Sequence, residues 1–287
     1  MAKTDLTKNL LSRYDKLEGQ RQNWETHWQE VADYMQPRKA DVTKTRARGD
    51  KRMEQIFDSS PIQAVELLSA SLHGMMTNPS TPWFTLRFKD DDVDNEDEAK
   101  IWLESATEAM YTAFNRSNFQ QEIFELYHDL ITFGTAAMFI EEDDEDLIKF
   151  STRHINEVFI AENDKGRVDT IFRRFKISAR AAVQKFGDNV SSDIQGIFKK
   201  DPYQEVEILH AVYPRSDFDP KKKDKENMPF ESVYLEYKNA NELSISGFKE
   251  FPFVVPRYLK ASNEIYGRSP AMTALPDVKM LNEMSKT

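Results

Sequence analysis

Residues 266–282 have the sequence YGRSPAMTALPDVKMLN, which predicts a tight turn followed by a helix. Ser269 is the expected N-cap and Pro270 the first helical residue, because proline fixes a helical φ and lacks the amide hydrogen that would be unpaired there. We expect Pro276 to kink the first turns. The apolar face continues almost to the last residue and consists of Met272, Leu275, Val278, Leu281 and Met284. Since no stop signal precedes Thr287, the pattern indicates a fragment of a longer chain.

Two helices are predicted in the N-terminal part of the sequence. The first ends at Pro37, and its apolar stripe consists of Leu6, Leu10, Tyr14, Leu17, Trp24, Trp28, Val31 and Met35. The second begins at Ser60-Pro61-Ile62-Gln63, where Ser60 and Gln63 form a predicted capping box, and it ends before Asn78-Pro79.

Two further helices follow, and an aromatic segment precedes them. Residues 98–115 predict a helix whose inward face consists of Trp102, Ala106, Ala109 and Ala113. The next helix has Asn118 as its expected N-cap and Gly134 as its expected C-cap. The segment 83–88, WFTLRF, lies before both helices and predicts a β-strand.

Beyond Gly134, alternating apolar and polar residues predict a region made mainly of strands. Two hairpins are expected, one with an acidic tip at 141–146 and one with a turn at 163–166. Two short helices and two further strands follow. The predicted fold class is α+β in three parts: a helical region with one strand near 83–88 (1–134), a β-rich region with short helices (135–262) and the start of a helix (263–287).

The composition argues against several classes of function. The chain has no cysteine, so it has neither disulfides nor thiolate sites. It has no phosphate-binding glycine motif and its histidines stand singly, so we predict no catalytic site, no cofactor and no metal. Asp90, Asp92 and Asp94 match the start of a calcium loop, but Asn95 and Ile101 occupy its glycine and glutamate positions. No apolar run approaches the roughly 20 residues that cross a bilayer, so no membrane contact is predicted.

The charge is uneven, although the net charge is −10. The segment 38–52 has Asp41 and Asp50 as its only acids, against Arg38, Lys39, Lys44, Arg46, Arg48, Lys51 and Arg52. It contains no aromatic residue, so a contact with DNA would be electrostatic, and an acidic surface of a neighbouring copy is the alternative partner. The four tryptophans, Trp24, Trp28, Trp83 and Trp102, lie on periodic apolar faces, which favours core packing over base stacking.

Several motifs, in this order and spacing, resemble the head–tail connector (portal) proteins of short-tailed bacteriophages. The resemblance extends from about Leu10 to the last residues. The motif residues are Trp24, Trp28, Pro37, Asp58, Ser59, Pro79, Trp83, Phe84, Gly134, Tyr266, Gly267, Arg268, Ser269 and Pro270.

The resemblance implies a structural subunit without enzymatic activity. Such subunits form a ring, usually of twelve copies, at one vertex of the capsid. The implied partners are the packaging ATPase (terminase), a tail adaptor, and capsid and scaffold proteins, and duplex DNA passes through the channel without sequence readout. The implied location is the portal vertex of the virion, and the host cytoplasm during assembly. Residues 1–262 would belong to the wing and 263–287 would begin the stem, while the clip, the returning stem helix and the crown come from sequence outside this chain.

A subunit contact is the remaining expectation. We expect Arg38, Lys39, Arg46, Arg48 and Arg52 to meet a neighbouring subunit or the capsid, facing an acidic run such as 141–146. Two other interpretations stay open from the sequence. In the first, the chain is the non-catalytic half of a larger enzyme. In the second, it is another phage structural protein, such as a tail adaptor or scaffold.

Overall fold

The computed structural model describes residues 3–47, 49–89, 96–219, 221–222 and 224–287. The chain forms two compact units, each assembled from distant segments. Unit 1 contains residues 1–26 and 156–252, and unit 2 contains residues 27–155 and 253–287. This grouping differs from the sequential three-part division into wing and stem regions, which stays a prediction.

The described residues contain helices and antiparallel sheets, which confirms the α+β class. The α-helices are α1 (Lys3–Met35), α2 (Ser60–Met76), α3 (Asp97–Arg116), α4 (Phe119–Phe133), α5 (Ala179–Phe186), α6 (Ser192–Lys200) and α7 (Pro270–Lys286). The strands are β1 (Ala137–Asp143), β2 (Leu147–Arg153), β3 (Val158–Glu162), β4 (Val168–Ser178), β5 (Glu205–Pro214), β6 (Phe230–Glu236), β7 (Glu242–Phe248) and β8 (Phe253–Val254). Both predicted hairpins are confirmed, but Glu141–Asp143 belong to β1, so the acidic tip is shorter than expected.

Unit 1 is built on a five-stranded sheet in the order β3-β4-β5-β6-β7. Successive residues of a strand point to opposite faces, and both faces of this sheet are buried. Leu209 packs with Leu10 and Tyr14 of α1, whereas the preceding Ile208 packs with residues of α5 and α6, such as Ala182. Strand β7 was not predicted, because its sequence ELSISGF has few of the large apolar residues that mark a strand.

Unit 2 has α4 at its centre. Helix α4 packs against a three-stranded sheet in the order β2-β1-β8, and it also contacts α2, α3 and α7. Its buried residues Phe119, Ile123 and Leu126 form a core cluster with Met138 of β1 and Phe150 of β2. Helix α4 ends at Phe133 and β1 begins at Ala137, and residues 131–139 around this connection are all buried.

The predicted strand at 83–88 is wrong, since this segment joins no sheet. Side chains of α3 take the place of a neighbouring strand. The Tyr111 hydroxyl receives the backbone N–H groups of Trp83 and Phe84 at 2.6 and 2.7 Å and donates to the Phe84 carbonyl at 2.9 Å. Thr107 accepts from Leu86 at 3.3 Å. An extended backbone without strand partners is thus satisfied by hydroxyl groups, which an apolar pattern does not reveal.

The inward face predicted for α3 is also wrong. Trp102 is 60% exposed, and the next residue, Leu103, is the buried one. The face that turns inward continues through Thr107 and Tyr111, the two residues that bind the extended segment. Leu103, Thr107, Tyr111 and Phe114 have helical spacing, so the inward face is a second stripe of α3 that the prediction did not choose.

Two predicted N-caps have other roles. No side chain caps α2, and the Ser60 N–H is instead bound by the Asp58 carboxylate at 2.7 Å. Asn118 precedes α4, but its side chain pairs with the backbone of Phe150 in β2, accepting at 2.9 Å and donating at 2.8 Å. The Asn118 prediction is wrong because a tertiary partner competes for the side chain, and the Ser60 prediction is wrong because α2 includes Ser60 and the nearby Asp58 binds its N–H.

Candidate functional site

The turn before α7 lies directly against the end of α4. Gly134 ends α4 with φ of 76°, and its N–H binds the Leu130 carbonyl at 3.0 Å, which confirms the predicted C-cap. A Cβ on Gly134 would lie 2.7 Å from the carbonyl carbon of Arg268, and a Cβ on Gly267 would overlap the Gly134 carbonyl oxygen. Two backbones approach here at a distance that only glycine permits at either position.

Two hydroxyl groups hold this approach together through three hydrogen bonds. Thr135 Oγ1 accepts the Gly267 N–H at 2.8 Å. Ser269 Oγ donates to the Thr132 carbonyl at 2.8 Å and accepts the Met272 N–H at 2.9 Å. The predicted N-cap role of Ser269 is confirmed, and the same hydroxyl also ties α7 to the last turn of α4.

The segment 257–259 completes the backbone network. The Tyr258 N–H donates to the Gly134 carbonyl at 2.9 Å. Leu259 and Arg268 exchange two backbone hydrogen bonds, of 2.7 and 3.2 Å. Residues near 134, 258 and 267 are therefore held as one bonded group, although they are far apart in sequence.

Trp28 of α1 packs against both the end of α4 and the turn before α7. It is fully buried, and its indole N–H donates to the Phe133 carbonyl at 3.0 Å. Its ring meets the ring of Tyr266 edge to face, with centroids 5.1 Å apart. We call Trp28, Gly134, Tyr266, Gly267 and Ser269 the glycine junction; it brings together motif residues from three distant parts of the sequence.

Arg268 of the same motif points outward. Its guanidinium binds the Glu264 carboxylate, with Nε 3.0 Å from Oε2, and this contact lowers the pKa of Glu264. The ion pair spans the turn before α7. Burial, followed by the charge of Arg268, lowers the pKa of His27 in α1. Arg268 therefore braces the turn at the surface while its neighbours fill the interior.

The other motif residues lie elsewhere. Asp58 and Ser59 precede α2 at the far end of α7, and Pro79 is exposed after α2. Trp83 is stacked on Phe119, with ring centroids 5.8 Å apart, which confirms a packing role for Trp83 and Phe84. The structure therefore divides the motif residues between the glycine junction and other positions.

Asn282 fixes the far end of α7. The predicted apolar stripe is wrong there, since Leu281 and Met284 are 38% and 65% exposed whereas Asn282 is buried. Asn282 Oδ1 accepts the N–H of Phe57 at 2.7 Å, and Nδ2 donates to the Gln55 carbonyl at 3.0 Å. Asn282 is a polar residue within the apolar stripe of α7, and this was the sequence signal for the contact.

The basic segment 38–52 is organised by Gln29 of α1. This buried side chain accepts the backbone N–H groups of Val42, Thr43 and Lys44 at 3.1, 2.9 and 3.2 Å. It also donates to the Ala40 carbonyl at 2.6 Å. The segment is thus a fixed loop. The role of Gln29 could not be predicted, because nothing in the local sequence marks a glutamine whose side chain binds a later segment.

Several of the expected contact residues are engaged within the chain. Lys39 lies 2.7 Å from the buried Asp129 carboxylate. Burial disfavours its charge, but the carboxylates of Asp129 and Glu125 outweigh burial and raise the pKa of Lys39. Arg46 binds Asp33 at 3.1 Å, and Arg52 binds Asp41.

Two basic residues of the segment differ from the rest. Arg38 and Lys51 are exposed and form no ion pair with a described residue. The expected residue Arg48 lies outside the described residues. Of the described basic residues in 38–52, Arg38 and Lys51 therefore have charges available to a partner.

Searches for other kinds of site give few candidates. Among the described residues, no cluster of three or more histidine, aspartate or glutamate side chains is arranged to hold a metal ion. The calcium-loop residues Asp90, Asp92, Asp94 and Asn95 lie outside those residues. None of the described helices is both long and apolar enough to span a membrane.

Comparison with known protein families matches residues 7–287 to the bacteriophage head to tail connecting proteins. The chain belongs to this family. The family resemblance inferred from the motifs is thereby confirmed, and every motif residue lies within the matched range.

Two similar curated proteins carry portal names. The probable portal protein of Bordetella phage BPP-1 is 36% identical over 287 residues, covering 98% of this chain and 52% of that protein. The portal protein of Salmonella phage epsilon15 is 36% identical over 292 residues, covering 100% of this chain and 52% of that protein. The chain thus spans about half the length of the curated relatives it matches.

Proposed function

We propose that this chain is part of a portal subunit, the structural head-to-tail connector that forms a ring at one capsid vertex. DNA is packaged and ejected through the channel of such a ring. The observation that carries the proposal is the glycine junction, in which the motif residues of α1, the end of α4 and the start of α7 meet in one bonded group. The portal names of two similar proteins give independent support.

The assignment of regions follows from the same proposal. Helix α7 would begin the stem, and the units before it would form the wing. The terminase, tail adaptor, capsid and scaffold proteins are the proposed partners, at the portal vertex of the virion. The chain acts as a structural part and not as an enzyme. A scaffold would be elongated and mainly helical, so the two sheets argue against that alternative.

A ring requires two different faces of each copy to meet. We place the basic segment 38–52 on one of these faces, where it contacts an acidic surface of the next copy or of the capsid. Arg38 and Lys51 carry this contact, because Lys39, Arg46 and Arg52 are paired within the chain. The run 141–146 is one acidic surface available, and its exposed part is the tip between β1 and β2.

Negative-stain electron microscopy of the protein expressed from its complete reading frame tests the function. Rings with a central hole wide enough for duplex DNA are expected, and a monomer or dimer at every salt concentration would overturn the proposal. Replacing Arg38 and Lys51 together by glutamate should reduce the ring fraction in native mass spectrometry. The matched control replaces Lys199 and Lys200, which are exposed in unit 1, by glutamate. Equal ring fractions in the two variants would contradict the assigned contact.

A further inference from the structure

Helix α2 in unit 2 is apolar on nearly every side. Its 17 residues include two ionisable side chains, Glu66 and His73, whereas α3 has six charged residues in 20. A stripe at helical spacing on α2 consists of exposed residues, which we call the outer stripe of α2: Ala64, Leu67, Leu68, Ser71 and Met75. Leu67 is 70% exposed and Met75 is 83% exposed. A helix that is apolar all round is normally buried all round, so the outer stripe lacks its cover.

An apolar groove of about 160 Å³ lies between α2 and α7, next to the outer stripe. Ala64 and Leu68 belong to both, so the groove and the stripe form one continuous apolar surface. The groove also reaches buried core residues, such as Val65 and Ile131. All ten described residues that line it are apolar: Met35, Pro61, Ala64, Val65, Leu68, Ile131, Pro270, Ala271, Ala274 and Val278.

The character of this surface indicates what covers it. An interface between separately folded proteins is only about 57% apolar and has a polar rim. A surface lined by apolar residues alone resembles a domain core that has been cut open, and the other side of a core is normally supplied by the same polypeptide. The two curated relatives have that additional polypeptide, because this chain covers 52% of each of them. About half of each relative is therefore available to complete the core.

We propose that a helix from the part of the same polypeptide outside these 287 residues packs on the outer stripe of α2 and into the groove beside α7. A third helix fits there because its side-chain ridges enter the groove between two neighbouring helices. Small residues on both sides, Ala64 and Ala274, let it approach closely. The contact lies within one subunit and forms before copies associate, so it goes beyond the proposed function. A neighbouring copy, by contrast, would cover the surface only after association.

Methionine oxidation tests the cover in the unmodified complete protein. Dilute peroxide is applied below the concentration at which native mass spectrometry detects rings, and again to rings. Peptide mass spectrometry then compares Met75 with Met53, which is 51% exposed in the same unit. Met75 should react at least about tenfold more slowly than Met53 in the monomer, because a covered methionine reacts only after local opening. Slow reaction only in rings would assign the surface to the next copy, and fast reaction in both forms would leave it uncovered. Either result overturns this proposal, while the rings themselves test the portal function separately.

Substitution of Leu67 gives a second readout. Leu67→Glu should lower the urea midpoint of the complete protein, because the new carboxylate is buried under the added helix. Leu67→Ala removes only apolar contacts and should lower the midpoint less. Ile101→Glu is the matched control, since Ile101 is a 64% exposed apolar residue on α3 in the same unit. A charge at a solvent-exposed position changes stability little. Equal midpoints for Leu67→Glu and Ile101→Glu would refute the cover on α2.

Discussion

Replacing Gly134 by alanine perturbs the glycine junction at its tightest point. The new Cβ would meet backbone atoms of Gly267 and Arg268, which cannot rotate away as a side chain could. Alanine would also have to adopt the left-handed φ of 76°. Relief of the close contacts requires α4 and the turn before α7 to separate, whereas the left-handed φ remains strained.

The expected loss follows from these contacts. The left-handed backbone costs about 1–2 kcal/mol for a residue with a Cβ. Separation weakens two hydrogen bonds, Gly267 N–H to Thr135 and Tyr258 N–H to the Gly134 carbonyl, at about 1 kcal/mol each. Alanine also lowers the conformational entropy of the unfolded chain, which stabilises the folded state by roughly 0.4–1 kcal/mol. The net loss in the free energy of unfolding is about 3 kcal/mol, a large part of the total for a typical domain.

Denaturation in urea, followed by tryptophan fluorescence, measures this loss, since Trp28 is part of the junction. Gly267→Ala separates the two causes, because Gly267 has no left-handed φ and only the close approach is violated. Gly74→Ala is the matched control in the same unit: its Cβ would meet no atom within 4 Å, and alanine is favoured in a helix by about 0.5–1 kcal/mol. If Gly134→Ala unfolds at the same urea concentration as Gly74→Ala, the glycine junction does not have the role described.

Two further predictions concern unit 2. Asn282→Ala leaves backbone groups of the segment 55–58 without partners and should lower the free energy of unfolding by about 2–3 kcal/mol, whereas Glu283→Ala should change it little; equal urea midpoints would contradict this. Burial lowers the pKa of His128 below its usual 6.5, so the unfolded chain binds more protons near that pH. Stability should therefore be full above about pH 6.5 and fall as the pH drops through it, and His128→Asn should weaken this dependence in thermal unfolding between pH 7.5 and 5.5.

The sequence predicted the elements whose signals are local. Gly134 and Ser269 act as caps where the pattern placed them, and the apolar stripe of α1 matches its buried face. Several failures share one physical cause, which is a polar group satisfied by a distant partner. Tyr111 binds the segment 83–88, which therefore forms no strand, and the Asn118 side chain binds β2 and does not cap α4.

The candidate site was predictable in its parts but not in its arrangement. The motif around Gly267 indicated a turn, and Trp28 indicated a core residue, but nothing local shows that the two share one junction. The groups that bind the turn are the Thr132 carbonyl and the Thr135 hydroxyl, and threonines are common residues at an ordinary helix end. The exposure of Trp102 was missed because a second stripe of helical spacing, which includes Leu103 and Tyr111, is the one that faces inward.

The discontinuous make-up of both units constrains how the protein is synthesised. Residues 1–26 belong with 156–252, so the apolar face around Leu10 and Tyr14 leaves the ribosome long before the strands that cover it. At a synthesis rate of about 5–20 residues per second, that face stays uncovered for roughly 10–40 s before β6 has been made. The glycine junction forms later still, once residues 258–269 have been made. A nascent chain interrupted before that point holds two incomplete units, so its apolar surfaces are open to neighbouring chains.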